Sequence, residues 1–114
     1  MSNFTQILRL SVDRDLQKVI FRDCYTLDGK QFWSVKVFWS TGHKDREGKK
    51  EYMRSQIVMW NKAIYEYVHT NSHLPLTVNG VLRPAKFVTK KGVEVDSFEI
   101  EVKEVAIHIP KERV

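Results

Sequence analysis

The side chains able to do covalent or metal chemistry are few and scattered. His69 and His73 stand four apart, the spacing of a two-histidine metal face on a helix. The residues between them, Thr70, Asn71 and Ser72, include no glutamate, and Asn71 is a helix-ending residue, so two solvated histidines are the simpler reading. Cys24 is the only cysteine, which excludes an internal disulfide and a multi-cysteine zinc site. Nothing in the sequence positions it against His43 as nucleophile and base. Gly29, Gly42, Gly48, Gly80 and Gly92 are isolated, so no glycine-rich phosphate loop is present. Asp13, Asp15, Asp23 and Asp28 are spread along the early strands rather than gathered at one magnesium site. The expectation is a non-enzymatic chain with no catalytic residue, no metal ligand and no cofactor.

What the sequence does concentrate is cations beside flat rings. The net charge of +5 is uneven. Lys44, Arg46, Lys49, Lys50 and Arg54 fall within residues 41–54 against Asp45, Glu47 and Glu51, and Arg83, Lys86, Lys90 and Lys91 fall within 83–92 with no acid. Phe38, Trp39 and Tyr52 lie at the root of the first segment and Phe87 lies in the second. Cations attract phosphates, and unpaired bases stack on exposed rings, so this pairing suits a single-stranded nucleic acid; a duplex hides its base faces. Trp33 and Trp39 share a phase with Val35 and Val37 and read as core or interface. Trp60 and Phe87 share phases with Arg54, Gln56 and Arg83, which suits a ligand-facing surface better than a dry core. The candidate site is therefore Trp60 and Phe87 stacking bases, with Phe38 and Tyr52 beside them. Arg54, Gln56 and Arg83 contact phosphate or base edges, and Lys36, Lys44, Lys49, Lys50, Lys86, Lys90 and Lys91 guide the backbone. RNA bases stack as readily as DNA bases, so both nucleic acids stay open at this point.

The elements that must position these residues are mostly strands. With 114 residues, 42% of them hydrophobic and 29% charged, the chain suits one packed domain. No apolar run approaches the roughly 18 residues of a membrane span, and the start, MSNFTQILRL, lacks a secretory pattern, so a cytoplasmic setting is expected. The apolar period is two over residues 4–12 (Leu8, Leu10, Val12) and 17–27 (Val19, Phe21, Tyr25, Leu27). Asp28-Gly29 marks a turn into a strand over 31–39, and the polar stretch 41–51 reads as a long hairpin tip. A strand follows over 52–60, with Met53, Ile57 and Met59 on one phase. Ala63, Ile64, Tyr67 and Val68 then form one face of a short helix capped by Asn61 and ended by Asn71 and Pro75. Strands follow over 76–83 and 85–89, broken at Pro84, then a turn at Lys90-Lys91-Gly92 and a last strand over 93–109 stopped by Pro110. One domain over residues 1–110 with a short extension at 111–114 results. A mainly β, five-stranded Greek-key barrel with one short helix between strands 3 and 4, the OB fold, fits this order; periodicity equally permits another small α+β barrel.

Two stretches carry a resemblance to the bacterial and phage single-stranded DNA-binding protein (SSB) family. QIVMWNKAIYEYV (56–68) is similar to the family's third strand, which ends in an aromatic and passes directly into a helix. LTVNGVLRPAKFVTKKGVEVDSFEIEV (76–102) resembles its later run of apolar strand, basic cluster with an aromatic, polar hairpin and alternating last strand. The resemblance implies an OB fold that binds single-stranded DNA largely independently of sequence, in replication, recombination or repair, as a homodimer or homotetramer without membrane or small-molecule substrate. It puts Trp60 and Phe87 at base-stacking positions. The family's aromatic near the start of the third strand falls at Arg54, where Tyr52 substitutes, and the aromatic of the first long hairpin has no match beyond His43. Ala85 reduces the family's basic pair, and Asn79 stands where an acid usually precedes glycine. Fewer platforms imply weaker or shorter binding. The ending HIPKERV lacks the Gly/Pro-rich acidic tail of housekeeping members, which implies a short tail-less relative, from a phage or plasmid or resembling primosomal replication protein B. The alternative reading is an OB adaptor for another protein in a replication or conjugation assembly, anchored by Trp33, Trp39 and Trp60.

Overall fold

In the computed structural model, which describes residues 3–109, those residues form eight strands and one helix. The strands are β1 (Asn3–Leu10), β2 (Val12–Asp13), β3 (Lys18–Val19), β4 (Phe21–Tyr25), β5 (Gln31–Lys44), β6 (Lys50–Met59), β7 (Leu76–Val88) and β8 (Glu94–Ile107), with α1 (Lys62–Thr70) between β6 and β7. Five strands close a ring in which β1 pairs with β7, β7 with β8, β8 with β6, β6 with β5, and β5 with β1. Each ladder of the ring is antiparallel except β6 with β8. This is the expected OB barrel, with the helix between its third and fourth strands. Pro110 and the extension at 111–114 lie outside the described residues.

Alternation on β5 decides inside from outside. Trp33, Val35, Val37 and Trp39 point inward and join Leu8, Leu10, Ile57, Met59, Leu76, Val78, Ile100 and Val102 in one core. Both tryptophans are only 7% exposed, as their phase requires. Asn61 caps α1 by accepting from the Ala63 and Ile64 amides at 2.8 and 3.4 Å. The helix buries Val68 completely and packs Ile64 and Tyr65 against the core, where Tyr65 stacks on Trp33 at 4.7 Å. The buried stripe is thus rotated from the expected one: Ala63 and Tyr67 face outward, and the Tyr67 hydroxyl accepts from the Ile107 amide.

The first barrel strand differs from expectation. β4 continues β1 along β5, because Leu10 pairs with Val37, the Ser11 amide donates to the Lys36 carbonyl, and Phe21 pairs with Val35. The intervening residues leave the barrel as the small β2–β3 hairpin. Val12, on the same alternating phase as the buried Leu8 and Leu10, is therefore 59% exposed, and the strand expected over 17–27 is interrupted at Ile20. Tyr25 and Leu27 are exposed because β4 is a sheet edge running beyond the core. The hairpin tip expected over 41–51 shrinks, since pairing continues across an irregularity to Lys44 opposite Lys50. On that arm Met53 is exposed, unlike its phase mates Ile57 and Met59. Pro84 does not break β7: past Val81 that strand has β8 on one side and, among the described residues, no ladder on the other, so a missing amide hydrogen is tolerated.

Three hairpins use one turn chemistry. Thr26, Asp45 and Thr89 each open a turn closed three residues later by a left-handed glycine, at Gly29, Gly48 and Gly92. The opening side chain accepts from the amide four residues on, at Lys30, Lys49 and Val93. Gly80 serves a different purpose. It sits at the irregular point of the β7–β8 ladder, and a Cβ there would collide with the Glu101 main-chain carbonyl. Gly80→Ala is expected to cost roughly 1–3 kcal/mol by overpacking, read as a lower urea midpoint with an unchanged slope.

Candidate functional site

A groove of about 800 Å³ on the described surface is built by three parts of the barrel. Its floor is formed by β5 and β6, where Lys36 lies opposite Gln56 and Arg54 follows on the same face of β6. One wall is the β2–β3 excursion with Asp13, Arg14 and Asp15, continued by Ile20 and Arg22. The other is the β7–β8 hairpin, from which Phe87, Lys90 and Ser97 line the space. Phe87 shares the outward phase of β7 with Arg83 and Ala85, and the hairpin carries it beside Arg54 and Gln56. The lining thus includes Arg14, Arg22, Lys36, Arg54 and Lys90, against Asp13 and Asp15. Asp13 is already engaged in its own loop, accepting from the Asp15 and Leu16 amides. The ion pairs of the described residues involve none of the five groove cations.

The outward face extends beyond the groove in both directions. Toward the hairpin tip, Tyr52 meets Phe38 edge to face at 5.9 Å. In the other direction Ser34 pairs with Val58, and beyond them Phe32 packs against Trp60 with ring centroids 4.5 Å apart. Lys30 Nζ lies 5.1 Å from the centre of the Trp60 ring, close enough for a cation–π contact. Lys44, Lys49 and Lys50 stay on the exposed hairpin arm, and Lys49 approaches Glu47 at 3.8 Å. Lys91 is exposed in the β7–β8 turn.

β8 presents acids along the same surface. Gln56 donates to Glu99 at 3.1 Å, Arg83 to Glu101 at 2.6 Å, and Lys103 to Glu101 at 2.8 Å. Lys86 approaches Glu94 at 3.6 Å. Arg83 and Lys86 are therefore paired within the protein, whereas Lys36, Arg54 and Lys90 face the groove with Phe87. Sequence reasoning missed Arg14, Arg22, Phe32 and Lys30. Phe32 carried a readable signal, since it shares its phase with Lys36 and Phe38; Arg14 reaches the groove on the β2–β3 excursion, and Arg22 from β4, where it pairs with Ser34. Among the described residues no cluster of three metal-binding side chains occurs, and no helix is long and apolar enough to cross a membrane.

No family model matches the sequence, and no curated protein matches it. Solved structures do match the fold. The single-stranded DNA-binding protein of Plasmodium falciparum, solved in complex with single-stranded DNA, superposes with a TM-score of 0.65 at 15% identity over 96% of both chains. A small single-stranded DNA-binding protein from Streptomyces coelicolor gives 0.62 at 15% identity over 95% of this chain and 94% of that one. Rim1, a mitochondrial single-stranded DNA-binding protein of Saccharomyces cerevisiae, gives 0.57 at 10% identity over 93% of both. At such identities the shared property is the barrel.

The Glu101 cluster makes a pH prediction. The hydrogen bond from Lys103, with the charges of Lys103 and Arg83, holds the Glu101 carboxyl below its ordinary range against the opposing effect of partial burial. A carboxylate lowered in the folded state stabilises above the usual carboxylate range, and that contribution is lost as pH falls through the lowered value. Both cations are largely exposed, so Glu101→Gln is expected to cost only about 0.5–1 kcal/mol at neutral pH. The gap between wild type and variant in urea unfolding should close on acidification below the usual carboxylate range; a constant gap would assign the loss to packing.

Proposed function

We propose that this chain is a non-catalytic, largely sequence-independent single-stranded DNA-binding protein of the SSB type, acting in replication, recombination or repair in the cytoplasm as a homodimer or homotetramer. The observation that carries the reading is the groove in which Phe87 stands beside Arg54, Lys36 and Lys90, cations without acidic partners among the described residues. The fold shared with single-stranded DNA-binding proteins, one of them solved with single-stranded DNA, supports it.

The chemistry is a division of labour. Arg14, Arg22, Lys36, Arg54 and Lys90 neutralise phosphates and release their counterions, which gives affinity without regard to sequence. Phe87 on the wall, with Phe38 and Tyr52 on the same outward face beyond the groove, offers rings to bases that have lost their partners. Every base has a π-face, so stacking tolerates any sequence while excluding a duplex. Lys44, Lys49, Lys50, Lys86 and Lys91 act at longer range, by raising the local positive potential around the two hairpins.

With about four to six phosphates neutralised, log K against log[salt] for oligo(dT) should fall with a slope of roughly −3 to −4. Phe87→Ala should weaken binding by about 1–3 kcal/mol. Oligo(dT), its RNA counterpart and a duplex are titrated side by side, with the mass of each complex recorded. A flat salt response together with unchanged affinity in the Phe87 variant would overturn the reading in favour of a protein-docking barrel.

A further inference from the structure

We propose that the open edge of β4 is a docking site for an extended segment of another protein, one that carries a lysine or arginine between two apolar residues at alternate positions; the proposal does not rest on the single-strand reading. Among the described residues β4 has a neighbour on one side only, β5. Hydrogen-bonded and non-bonded pairs alternate along an antiparallel ladder. The Thr26 amide donates to the Lys30 carbonyl where this ladder meets its turn, so the bonded pairs beyond it are Cys24 with Phe32 and Arg22 with Ser34. Phe21, Asp23 and Tyr25 therefore turn their amides and carbonyls away from β5, toward the open edge.

Sheet edges are commonly blunted by lysine, proline or a bulge, and the β4 sequence FRDCY pairs in unbroken register without any of them. What the edge has is Asp23, an exposed carboxylate that enters none of the ion pairs of the described residues. That charge selects the partner. Two copies of this chain joined through all three residues would set Phe21 against Tyr25 and Asp23 against its own counterpart, and like charges directly opposite disfavour such a dimer. A cation at the same place is attracted instead.

The flanks call for apolar residues. Side chains directly opposite across a ladder share a face, so the residue beside Tyr25 lies along a ring that is 65% exposed. The residue beside Phe21 meets a hollow of about 370 Å³ between the β2–β3 excursion and the end of α1, lined in part by Val12, Val19, Phe21 and His69. Tyr65 and His69 hold the Phe21 ring there, with centroids at 5.6 and 4.9 Å. The edge thus presents apolar, acidic and apolar positions in turn, and its complement is apolar, basic and apolar. Backbone pairing gives such a complex its affinity, and the alternate side chains give it specificity.

The probe is a synthetic strand of about seven residues in which threonine alternates with valine, lysine and valine; its control carries glutamate for the lysine. Amide signals of the full chain are followed by NMR. In the free protein the amides of Phe21, Asp23 and Tyr25 should exchange rapidly with solvent and those of Arg22 and Cys24 slowly. The lysine peptide should shift and protect the first set, and the glutamate peptide should bind about fivefold more weakly. Asp23→Lys, at an exposed position that does not threaten folding, should reverse that order. Protection of Phe21, Asp23 and Tyr25 that rises with protein concentration in the absence of peptide would overturn the proposal in favour of a second copy. No protection by the lysine peptide, or equal binding of both peptides to both proteins, would overturn it outright.

Discussion

The register of β5 against β6 is the constraint on which the other features depend. It pairs Trp33 with Met59, Val35 with Ile57 and Val37 with Ser55 on the inside, and Lys36 with Gln56 and Phe38 with Arg54 on the outside. Side chains in a strand alternate, so a slip by one residue would expose the indoles of Trp33 and Trp39 and force Lys36 and Arg54 into the core. Burying an unpaired cation costs far more than burying an indole gains. Core stability and placement of the outward-facing cations are therefore one requirement: the sequence that buries its apolar phase also lines up its basic and aromatic phase.

Closing the ring converts that two-faced ribbon into a groove. A flat sheet would leave Lys36 and Arg54 in open solvent, where attraction to phosphate is weakly focused. Here the excursion out of the first barrel strand raises one wall and the long β7–β8 hairpin raises the other. Each wall depends on a local backbone device. Asp13 ties the amides of Asp15 and Leu16 into the excursion, and Thr89 with Gly92 turns the hairpin. Gly80, at the irregularity in the β7–β8 ladder, lets β7 approach the Glu101 main chain.

The parts legible in the sequence were those governed by local periodicity. Trp33 and Trp39 could be told from Trp60 because their phases carry valine while its phase carries Arg54 and Gln56. Asn61 could be read as a cap because the residues after it repeat at helical spacing. The β2–β3 excursion was not legible, because a strand that leaves the barrel and returns keeps an alternating pattern throughout; Val12 looks the same in either case. Arg14 was lost with it. The partner of Arg83 was equally hidden. Glu101 lies eighteen residues away, across a ladder whose register shifts at Gly80, and no local rule counts across such a shift. Pro84 misled for the converse reason: its effect depends on whether its strand has a neighbour on the amide side, which is a property of the sheet.

The distribution of acids sharpens the positive surface rather than merely diluting it. Glu99 and Glu101 on β8 engage Gln56, Arg83 and Lys103, and Glu94 lies near Lys86, so this side of the barrel is nearly self-compensated. Five described cations left without acidic partners, Arg14, Arg22, Lys36, Arg54 and Lys90, line the groove between the excursion and the tip of the β7–β8 hairpin. A polyanion approaching the barrel meets a positive trough bordered on one side by carboxylates whose charge repels it from β8. On the proposed single-strand reading, this boundary would confine the strand to the face that carries the rings. Net charge alone would not do this: with the same +5 spread evenly, phosphates would find no preferred track and bases no reason to meet Phe87. The acidic last strand is thus as much a part of the candidate site's geometry as the basic hairpins are.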